Sequence, residues 1–392
     1  MLTSDGRSPA PAFGPALRDL FQLEAGGAHL NHGSYGATPK AVLAAQRDWR
    51  DRMEAEPSRF FEREYRPAIR AAAARLAPYL GADADDVAMV ENATQAVNAV
   101  LRSFPFEPGD RILINTQTYG AVRNTARYVA ARTGAEVVEW RLPFPVADAQ
   151  EIEAAFHAAL DPPPRLALLD HVTSGTALKL PLARLVALAK AAGARVLVDG
   201  AHAPGMTEID LRRIGADWYT GNCHKWMFAA KGCAFLWAAT QQDLHPTVIS
   251  HGFEGGFHAE FDYVGTRDGS AQHSLPAGID FMEGFGFQAI QGHNHAMALA
   301  AGARLAAAWG TETGAPAALT GSMTTVRLPY GVGADLNGAI RLRARLLDED
   351  GIQIRLNPLA GGLWVRVSTQ IYNHMDEIDR LAEAVLAKRP NA

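Results

Sequence analysis

Short apolar runs alternate with amphipathic, alanine-rich stretches between about residues 80 and 240. The runs predicted to form strands cover residues 110–115, 135–140, 165–170, 194–199 and 233–238. Apolar and β-branched residues follow one another in these runs without alternation, which is typical of strands buried on both faces. Helices are predicted between them, for example over 119–133 and over 181–193, where Pro181 stands near the start and Gly193 at the end. Strand-helix-strand order predicts an α/β fold with a mostly parallel sheet.

The pattern differs on either side of this region. Two helices are predicted before it, near 39–56 and 63–80, and a helix, a strand pair and a last helix that begins at Asn373 or Asp376 are predicted over 336–388. A chain of 392 residues exceeds the roughly 250–300 residues at which one core stops growing. We therefore predict an N-terminal segment (1–30) packed with the small domain, a large α/β domain (31–265) and a smaller α+β C-terminal domain (266–392).

Composition and charge exclude several classes of protein. The net charge is −5, from 37 basic and 42 acidic residues, so nucleic acid is not an expected partner. Two cysteines, Cys223 and Cys233, support neither a disulfide framework nor a zinc site, and they suggest a reducing compartment. The histidine-bearing stretches 251–258 and 292–298 lack further ligands at metal-site spacing. No secretory signal and no membrane span is recognised, so a cytoplasmic protein without a bound metal is expected.

Candidate chemistry lies where the predicted strands end, because open α/β sheets bind ligands beyond the carboxyl ends of their strands. Asp199 closes an apolar strand, and a buried carboxylate is costly unless it meets a cation or several donors. Lys225 follows 26 residues later, past the strand-like stretch 216–220, and could return to the same edge. Two interpretations stay open: a buried salt bridge, or a pyridoxal phosphate site. In such a site a lysine forms a Schiff base with the aldehyde and an aspartate pairs with the protonated pyridine nitrogen.

Two further features fit a phosphorylated, flat cofactor. Ala93, Thr94 and Gln95 stand at the start of a predicted helix, where free N–H groups and the helix dipole favour a dianion. Thr94 could equally be only a helix cap. Tyr119 lies in a polar turn after a strand and could stack on a ring, although a half-buried core tyrosine is also consistent.

Taken together, the motifs resemble the class V aminotransferase family of fold-type I pyridoxal-phosphate enzymes, and within it the isopenicillin N epimerase-like branch. The DGAH and GNCHKW motifs at their spacing carry most of this resemblance. The motifs span nearly the whole chain: LNHGSYGATP (30–39), ENATQAVN (91–98), TYGAVRNT (118–125), HVTSGTALKLP (171–181), VLVDGAHAPG (196–205), DWYTGNCHKW (217–226) and WVRVSTQIYN (364–373).

The resemblance implies a role for particular residues. Lys225 corresponds to the Schiff-base lysine, Asp199 to the partner of the pyridine nitrogen, and His202 to a residue near the phenolic oxygen. Tyr119 corresponds to the ring-stacking residue. The further positions implied to hold the cofactor are Ala93, Thr94, Thr173, Ser174, Thr220 and His224, with Thr266 offered to the phosphate of the neighbouring subunit in a homodimer with shared sites.

For the substrate, the resemblance implies that Arg366 binds the α-carboxylate and that Asn31, His32 and Ser34 line the substrate side. Lys225 is then the base for the Cα proton of an amino acid.

The family chemistry leads to three outcomes. An isopenicillin N epimerase-like epimerase or racemase comes first; a C–S β-lyase or a class V aminotransferase is the alternative, and a non-catalytic cofactor-binding protein comes last. Epimerisation needs an acid on the second face, for which Tyr119, His32 and His202 are unranked candidates. The chain has no cysteine after Cys233, so a desulfurase that forms a persulfide on a C-terminal cysteine is not expected.

Overall fold

The computed structural model describes residues 12–330 and 335–388. The ends of the predicted N-terminal segment and C-terminal domain, and residues 331–334, lie outside the described residues. The strands are β1 (Ala28–His29), β2 (Val87–Val90), β3 (Arg111–Asn115), β4 (Glu136–Trp140), β5 (Leu166–Asp170), β6 (Arg195–Asp199), β7 (Trp218–Asn222), β8 (Ala234–Ala238), β9 (Met323–Arg327), β10 (Ile352–Gln353), β11 (Arg355–Leu359) and β12 (Gly362–Ser368).

The helices surround these strands. They are α1 (His32–Tyr35), α2 (Lys40–Ala55), α3 (Pro57–Arg59), α4 (Tyr65–Leu80), α5 (Ala93–Ser103), α6 (Gly120–Thr133), α7 (Ala149–Ala158), α8 (Leu182–Ala191), α9 (Leu211–Ile214), α10 (Cys223–Trp226), α11 (Phe257–Phe261), α12 (Ser270–His273), α13 (Leu275–Phe285), α14 (Phe287–Trp309), α15 (Leu336–Asp350) and α16 (Met375–Ala387). Short 3₁₀ helices cover Pro15–Leu20, Ala84–Asp86 and Ala317–Leu319, and a π-helical turn covers Phe60–Glu64. No helix in this part of the chain has the length and apolar composition of a membrane span.

Seven strands form the large sheet, in the order β2-β8-β7-β6-β5-β3-β4. Among the described strands of this sheet, β8 alone runs in the direction opposite to the other six. Every residue of β5, β7 and β8 is buried, which explains why their sequences are not alternating. The predicted α/β fold with a mostly parallel sheet is confirmed.

The parallel register brings three strand ends to one edge of the sheet. Asp170 at the end of β5 pairs with Asp199 at the end of β6, and Asp199 pairs with Thr220 in β7. Helix α10 begins directly after β7 and carries Lys225 back over this edge. The two candidate residues Asp199 and Lys225 therefore reach the same place, as the sequence predicted.

The C-terminal part has a core and a sheet of its own. Strands β11, β12 and β9 form an antiparallel sheet, and α14, α15 and α16 contribute to a separate apolar cluster. The N-terminal segment joins this unit, because β1 pairs with β10 and the Ser368 N–H donates to the Leu30 carbonyl. Helix α16 begins one residue before Asp376, after a capping box formed by His374 and Glu377.

The boundary between the two domains stays a prediction. Helix α13 lies after residue 266, yet its Leu275, Ile279 and Met282 belong to the core of the large domain and pack near α2 and α4. Helix α14 contributes to both cores: Ile290 packs in the core of the large domain and Leu305 in that of the small domain. This packing favours a boundary within α14 rather than at residue 266.

Gly36, directly after α1, allows the backbone to approach the lysine-bearing helix α10 closely. Its φ is +66°, and a Cβ built there would lie 2.3 Å from the His224 carbonyl oxygen and 2.8 Å from that of Lys225. Only a residue without a side chain fits this contact. The end of α1 is thereby fixed against α10.

We expect Gly36→Ala to lower the free energy of unfolding by about 2–5 kcal/mol, because a positive φ costs an alanine about 1–2 kcal/mol and overpacking about 1–3 kcal/mol. Gly109→Ala is the matched control, since Gly109 also has a positive φ (+87°) but has no atom within 4 Å of its Cβ position. The control should lose about 1–2 kcal/mol in urea unfolding. If both variants lost the same free energy of unfolding, the close contact between Gly36 and α10 would not contribute to the effect of the substitution.

Candidate active site

A cavity of about 290 Å³ opens at the sheet edge where β5, β6 and β7 end. Both domains line it, because β11 and β12 contribute arginines from the small sheet. The predicted residues that line this cavity are Ser34, Ala93, Thr94, Tyr119, Ser174, Asp199, His202, His224, Lys225 and Arg366. Sequence reasoning missed Asp170, Asn222 and Arg355, which line it as well.

Lys225 is a partly buried lysine without an ion pair to a described residue. Its Nζ lies 3.3 Å from His202 Nε2. Burial, followed by the charge of Arg366, lowers the pKa of Lys225 to about 7, although Asp199 opposes this shift. A substantial fraction of the amine is therefore unprotonated at neutral pH, as a nucleophile or a base requires.

Two carboxyl groups lie side by side at the inner end of the cavity. Asp199 Oδ1 accepts the Ala201 N–H at 3.0 Å, and Asp170 Oδ2 accepts Asn115 Nδ2–H at 2.7 Å. Burial raises the pKa of Asp199, and burial together with the charge of Asp199 raises the pKa of Asp170. A sequence signal for Asp170 existed, since RLALLD ends in aspartate after an apolar run as ARVLVD does.

The start of α5 faces the cavity, but only some of its backbone N–H groups are free to bind a ligand. Asn92 caps the helix, because its Oδ1 accepts the Gln95 N–H at 2.9 Å. The Ala93 N–H already donates to Asn222 Oδ1 at 2.9 Å, so the predicted role of this N–H in phosphate binding is not supported. The N–H and hydroxyl of Thr94 remain for an anion, and the dipole of this eleven-residue helix favours one.

Tyr119 and His224 flank the same space. Tyr119 precedes α6 and is 48% exposed although it lines the cavity. A ring in this position can cover a flat ligand, and it is not the core tyrosine that the sequence left open. His224 Nδ1 donates to the Cys233 carbonyl at 3.0 Å, and burial lowers the pKa of His224 to about 4, so this ring is neutral.

Three predicted cofactor-binding threonines are not brought into the cavity. The Thr173 hydroxyl accepts the Leu178 N–H and contacts the Thr176 hydroxyl, which stabilises the turn after β5. The Thr220 hydroxyl donates to the Phe235 carbonyl at 2.7 Å within the sheet. Thr266 is exposed and its hydroxyl bonds to that of Tyr263, so a role toward a neighbouring subunit stays a prediction.

Arg366 is almost fully buried and its guanidinium is fixed from two sides. Nη1 donates to the Ser174 carbonyl at 2.6 Å, and Nη2 donates to Ser34 Oγ at 2.9 Å and to Asn31 Oδ1 at 3.2 Å. Its Nε–H is buried without a partner among the described residues. Asn31 thus does not line the cavity itself but orients the arginine.

A second arginine lies directly across the small sheet. Arg355 in β11 pairs with Arg366 in β12. Burial, followed by the charge of Arg355, lowers the pKa of Arg366 to about 9. Like charges directly opposite one another destabilise a sheet, so this pair favours an anionic ligand.

His32 contacts the backbone of Lys225 and does not line the cavity. Its ring accepts the Ala37 N–H at Nδ1 and lies 2.9 Å from the Lys225 carbonyl through Nε2. Because a carbonyl only accepts, the proton of this neutral ring is on Nε2, and the Tyr372 hydroxyl donates to Nδ1 at 2.8 Å. The structure therefore does not support the predicted positions of His32 on the substrate side and as an acid for the second face.

The donor set fits pyridoxal phosphate. An amine of lowered pKa stands near a buried acid, a helix start faces the cavity from one side, and an aromatic ring covers it from another. Two buried polar atoms, His202 Nδ1 and Arg366 Nε, also lack a partner among the described residues. Unpaired buried donors of this kind are costly unless a ligand satisfies them.

We expect His32→Leu to lower the free energy of unfolding by about 2–4 kcal/mol at pH 7, because the variant leaves the Lys225 carbonyl and the Ala37 N–H buried without partners. The loss should shrink as the pH falls. Burial lowers the pKa of His32 from 6.5 to about 3, so the wild type loses stability below pH 6.5 when the unfolded chain binds this proton, and the variant does not. His157→Leu, at an exposed position, is the control for urea unfolding at pH 7 and 5. A loss that does not change with pH would contradict the assigned protonation of His32.

The family model described as Aminotransferase class-V matches residues 34–381. A putative L-cysteine desulfhydrase of Oryza sativa subsp. japonica is 37% identical, over 92% of this chain and 83% of its own length. The isopenicillin N epimerase of Amycolatopsis lactamdurans is 35% identical, over 94% and 96%.

Solved structures share the fold. A variant of C-DES with glycine covalently linked to its pyridoxal phosphate has a TM-score of 0.79 at 21% identity, over 94% of this chain and 98% of that one. The cysteine desulfurase CsdA of Escherichia coli has a TM-score of 0.78 at 23% identity, over 96% and 98%. The match of the family model to most of the chain, together with these relatives, leads to one conclusion: the chain belongs to the class V aminotransferase family and is a pyridoxal-phosphate-dependent enzyme of fold type I.

Proposed function

We propose that the protein removes the Cα proton of a cysteine-type amino acid with Lys225 and releases the sulfur substituent by β-elimination. The observation that carries this proposal is a single amine of lowered pKa in the cavity: Lys225 is the only lysine among the described residues that line it. Elimination needs one group that accepts a proton and gives it back. Relatives named L-cysteine desulfhydrase support the same outcome.

When bound, pyridoxal phosphate supplies an aldehyde that joins the substrate amine and a ring that takes up the electron pair left at Cα. Asp199 would pair with the protonated pyridine nitrogen, and Thr94 with the start of α5 would hold the phosphate. Tyr119 would stack on the ring. Arg366 binds the α-carboxylate of the substrate, which satisfies its unpaired Nε–H.

Lys225 Nζ takes up the Cα proton and then carries it as an ammonium group. The same group is the donor for the departing sulfur. His202, 3.3 Å away and kept neutral by burial and the charge of Lys225, does not compete for this proton.

Epimerisation is the second candidate, and it requires a proton from the opposite face. Of the three predicted acids, His32 lies outside the cavity and His202 lies next to Lys225. Tyr119 remains, because it lines the cavity and is half exposed. The isopenicillin N epimerase relatives favour this candidate.

Other outcomes have less support. Transamination uses the same groups and is tested with the others. A non-catalytic cofactor-binding protein is disfavoured because Lys225, Asp199 and Arg366 all line one cavity. Persulfide chemistry is not proposed: both cysteines, Cys223 and Cys233, are buried.

We propose further that the enzyme is a cytoplasmic homodimer. Tyr35 lines the cavity yet is 74% exposed, and Tyr119 beside it is half exposed, so a second protomer covering the entrance would bury two aromatic rings. Exposed Thr266 would then be available to the neighbouring site. The two free, buried thiols fit a reducing compartment.

The first experiment compares the wild type with Lys225→Ala and with Lys231→Ala, a lysine six residues away that binds the Thr38 hydroxyl. After addition of pyridoxal phosphate, borohydride should fix the cofactor to the peptide that contains Lys225 in the wild type and in Lys231→Ala. We expect Lys225→Ala to lose this adduct in mass spectrometry and to turn over about 10²–10⁴-fold more slowly. An adduct on another lysine would contradict the assignment.

The reaction outcome is read from the products of L- and D-amino acids and S-substituted cysteines. Pyruvate with a released thiol identifies the lyase, an inverted enantiomer the epimerase, and a keto acid that retains its sulfur the transaminase. Tyr119→Phe separates the first two, because it removes the second-face acid. Elimination should survive this change, whereas epimerisation should be lost.

We expect Arg366→Lys to lower kcat/KM by about 10–150-fold for every substrate, because the charged hydrogen bond from the Arg366 Nε–H to the α-carboxylate is lost. Arg355→Gln is its matched comparison. Because Arg355 is exposed at the cavity, this variant should affect S-carboxymethylcysteine, which has a second carboxylate, more than S-methylcysteine. Equal effects on the two substrates would show that Arg355 does not contact the substrate side chain.

A further inference from the structure

Asp170 has no role in the proposed reaction, although it lines the cavity beside Asp199. The two residues end adjacent parallel strands and are paired in register, so their backbones lie about 5 Å apart. Asp170 is 2% exposed and Asp199 is 4% exposed. Two acids are thus buried together where the ring of the cofactor requires one.

Each acid receives one neutral donor and no ion pair from the described residues. Asn115 Oδ1 accepts the Gln117 N–H at 2.8 Å, which fixes the orientation of this amide, so Nδ2 donates to Asp170 Oδ2. The Ala201 N–H donates to Asp199 Oδ1. A proton on Asp170 would therefore be on Oδ1, the oxygen that Asn115 leaves free.

The charged and titratable groups around Asp170 do not neutralise a second negative charge. From α6, Arg123 is already paired with Glu139, and from α10, Lys225 Nζ lies beside His202. The remaining neighbours are the buried, neutral pair of His171 and Tyr219, whose Nδ1 and hydroxyl are 2.7 Å apart. Two buried carboxylates at this separation do not both ionise near neutral pH.

We propose that Asp170 and Asp199 store one proton between them and that Asp170 releases it when the positively charged pyridine nitrogen of the cofactor binds at Asp199. This inference rests on the proposed cofactor site. The O–H bond of Asp170 breaks: its proton passes to the ring nitrogen where the ring binds unprotonated, which makes that nitrogen the cation, or to solvent where the ring binds already protonated; nothing is oxidised or reduced. Asp170 thereby sets how many protons accompany cofactor binding, and it acts on the reaction only through Asp199.

The stored proton is tested without cofactor. The folded chain holds this proton at a pH where the unfolded chain has lost it, so stability present at low pH is lost as the pH rises. Between pH 5 and 8 the unfolding equilibrium constant of the wild type should rise by up to about tenfold per pH unit relative to Asp170→Asn. Asp170→Ser is a second neutral variant. It keeps the test usable if the amide of Asp170→Asn packs poorly against the side chain of Asn115. Parallel pH profiles of the wild type and the variants would overturn the proposal.

The released proton is tested by calorimetry of pyridoxal phosphate binding in two buffers that differ in ionisation enthalpy. The wild type should take up fewer protons than Asp170→Asn, by up to one, within the same pH range. Asp262→Asn, a buried acid paired with Arg70 outside the cavity, should match the wild type. Equal proton numbers in the wild type and Asp170→Asn overturn the release. Failure of the wild type to bind pyridoxal phosphate overturns the proposed function instead, and the unfolding experiment still decides whether the proton is stored.

Discussion

The parallel register of β5, β6 and β7 is the constraint on which the site depends. It places Asp170, Asp199 and the helix that carries Lys225 at one edge of the sheet, and the layers of helices bury that edge. Burial disfavours every charged form, so the same environment raises the pKa of the acids and lowers that of the lysine. A base and an acidic partner for the ring nitrogen thus follow from one packing arrangement.

The segment 31–36 makes a second set of contacts at this edge. His32 reaches the Lys225 carbonyl from α1, Gly36 lets the backbone come close, and Asn31 with Ser34 fixes Arg366 from β12. Residues far apart in the chain therefore set the positions of both the amine and the guanidinium. A shift of this segment would therefore displace Lys225 and Arg366 at the same time.

Much of the large domain could be predicted from the sequence, because strands buried on both faces leave uninterrupted apolar runs. The positions of Asp199 and Lys225 followed from their place after such runs. The orientation of single side chains did not follow: Thr220 bonds within the sheet, and His32 packs against Tyr372, 340 residues away. Asp170 was missed because one acid sufficed for the expected chemistry, although its sequence pattern matched that of Asp199.

The site holds its charges at a cost to the fold. Arg366 and Arg355 repel one another between neighbouring strands of the small sheet, and the proton proposed to be shared by Asp170 and Asp199 avoids the same repulsion in the large sheet. Each pair is charged oppositely to one part of the expected ligands. The positive arginines suit the carboxylates of a substrate, and the acids suit the positive charge of the pyridine ring. Because a ligand relieves each repulsion, binding energy and stability are coupled, and the chain should be most stable with cofactor and substrate carboxylate both bound.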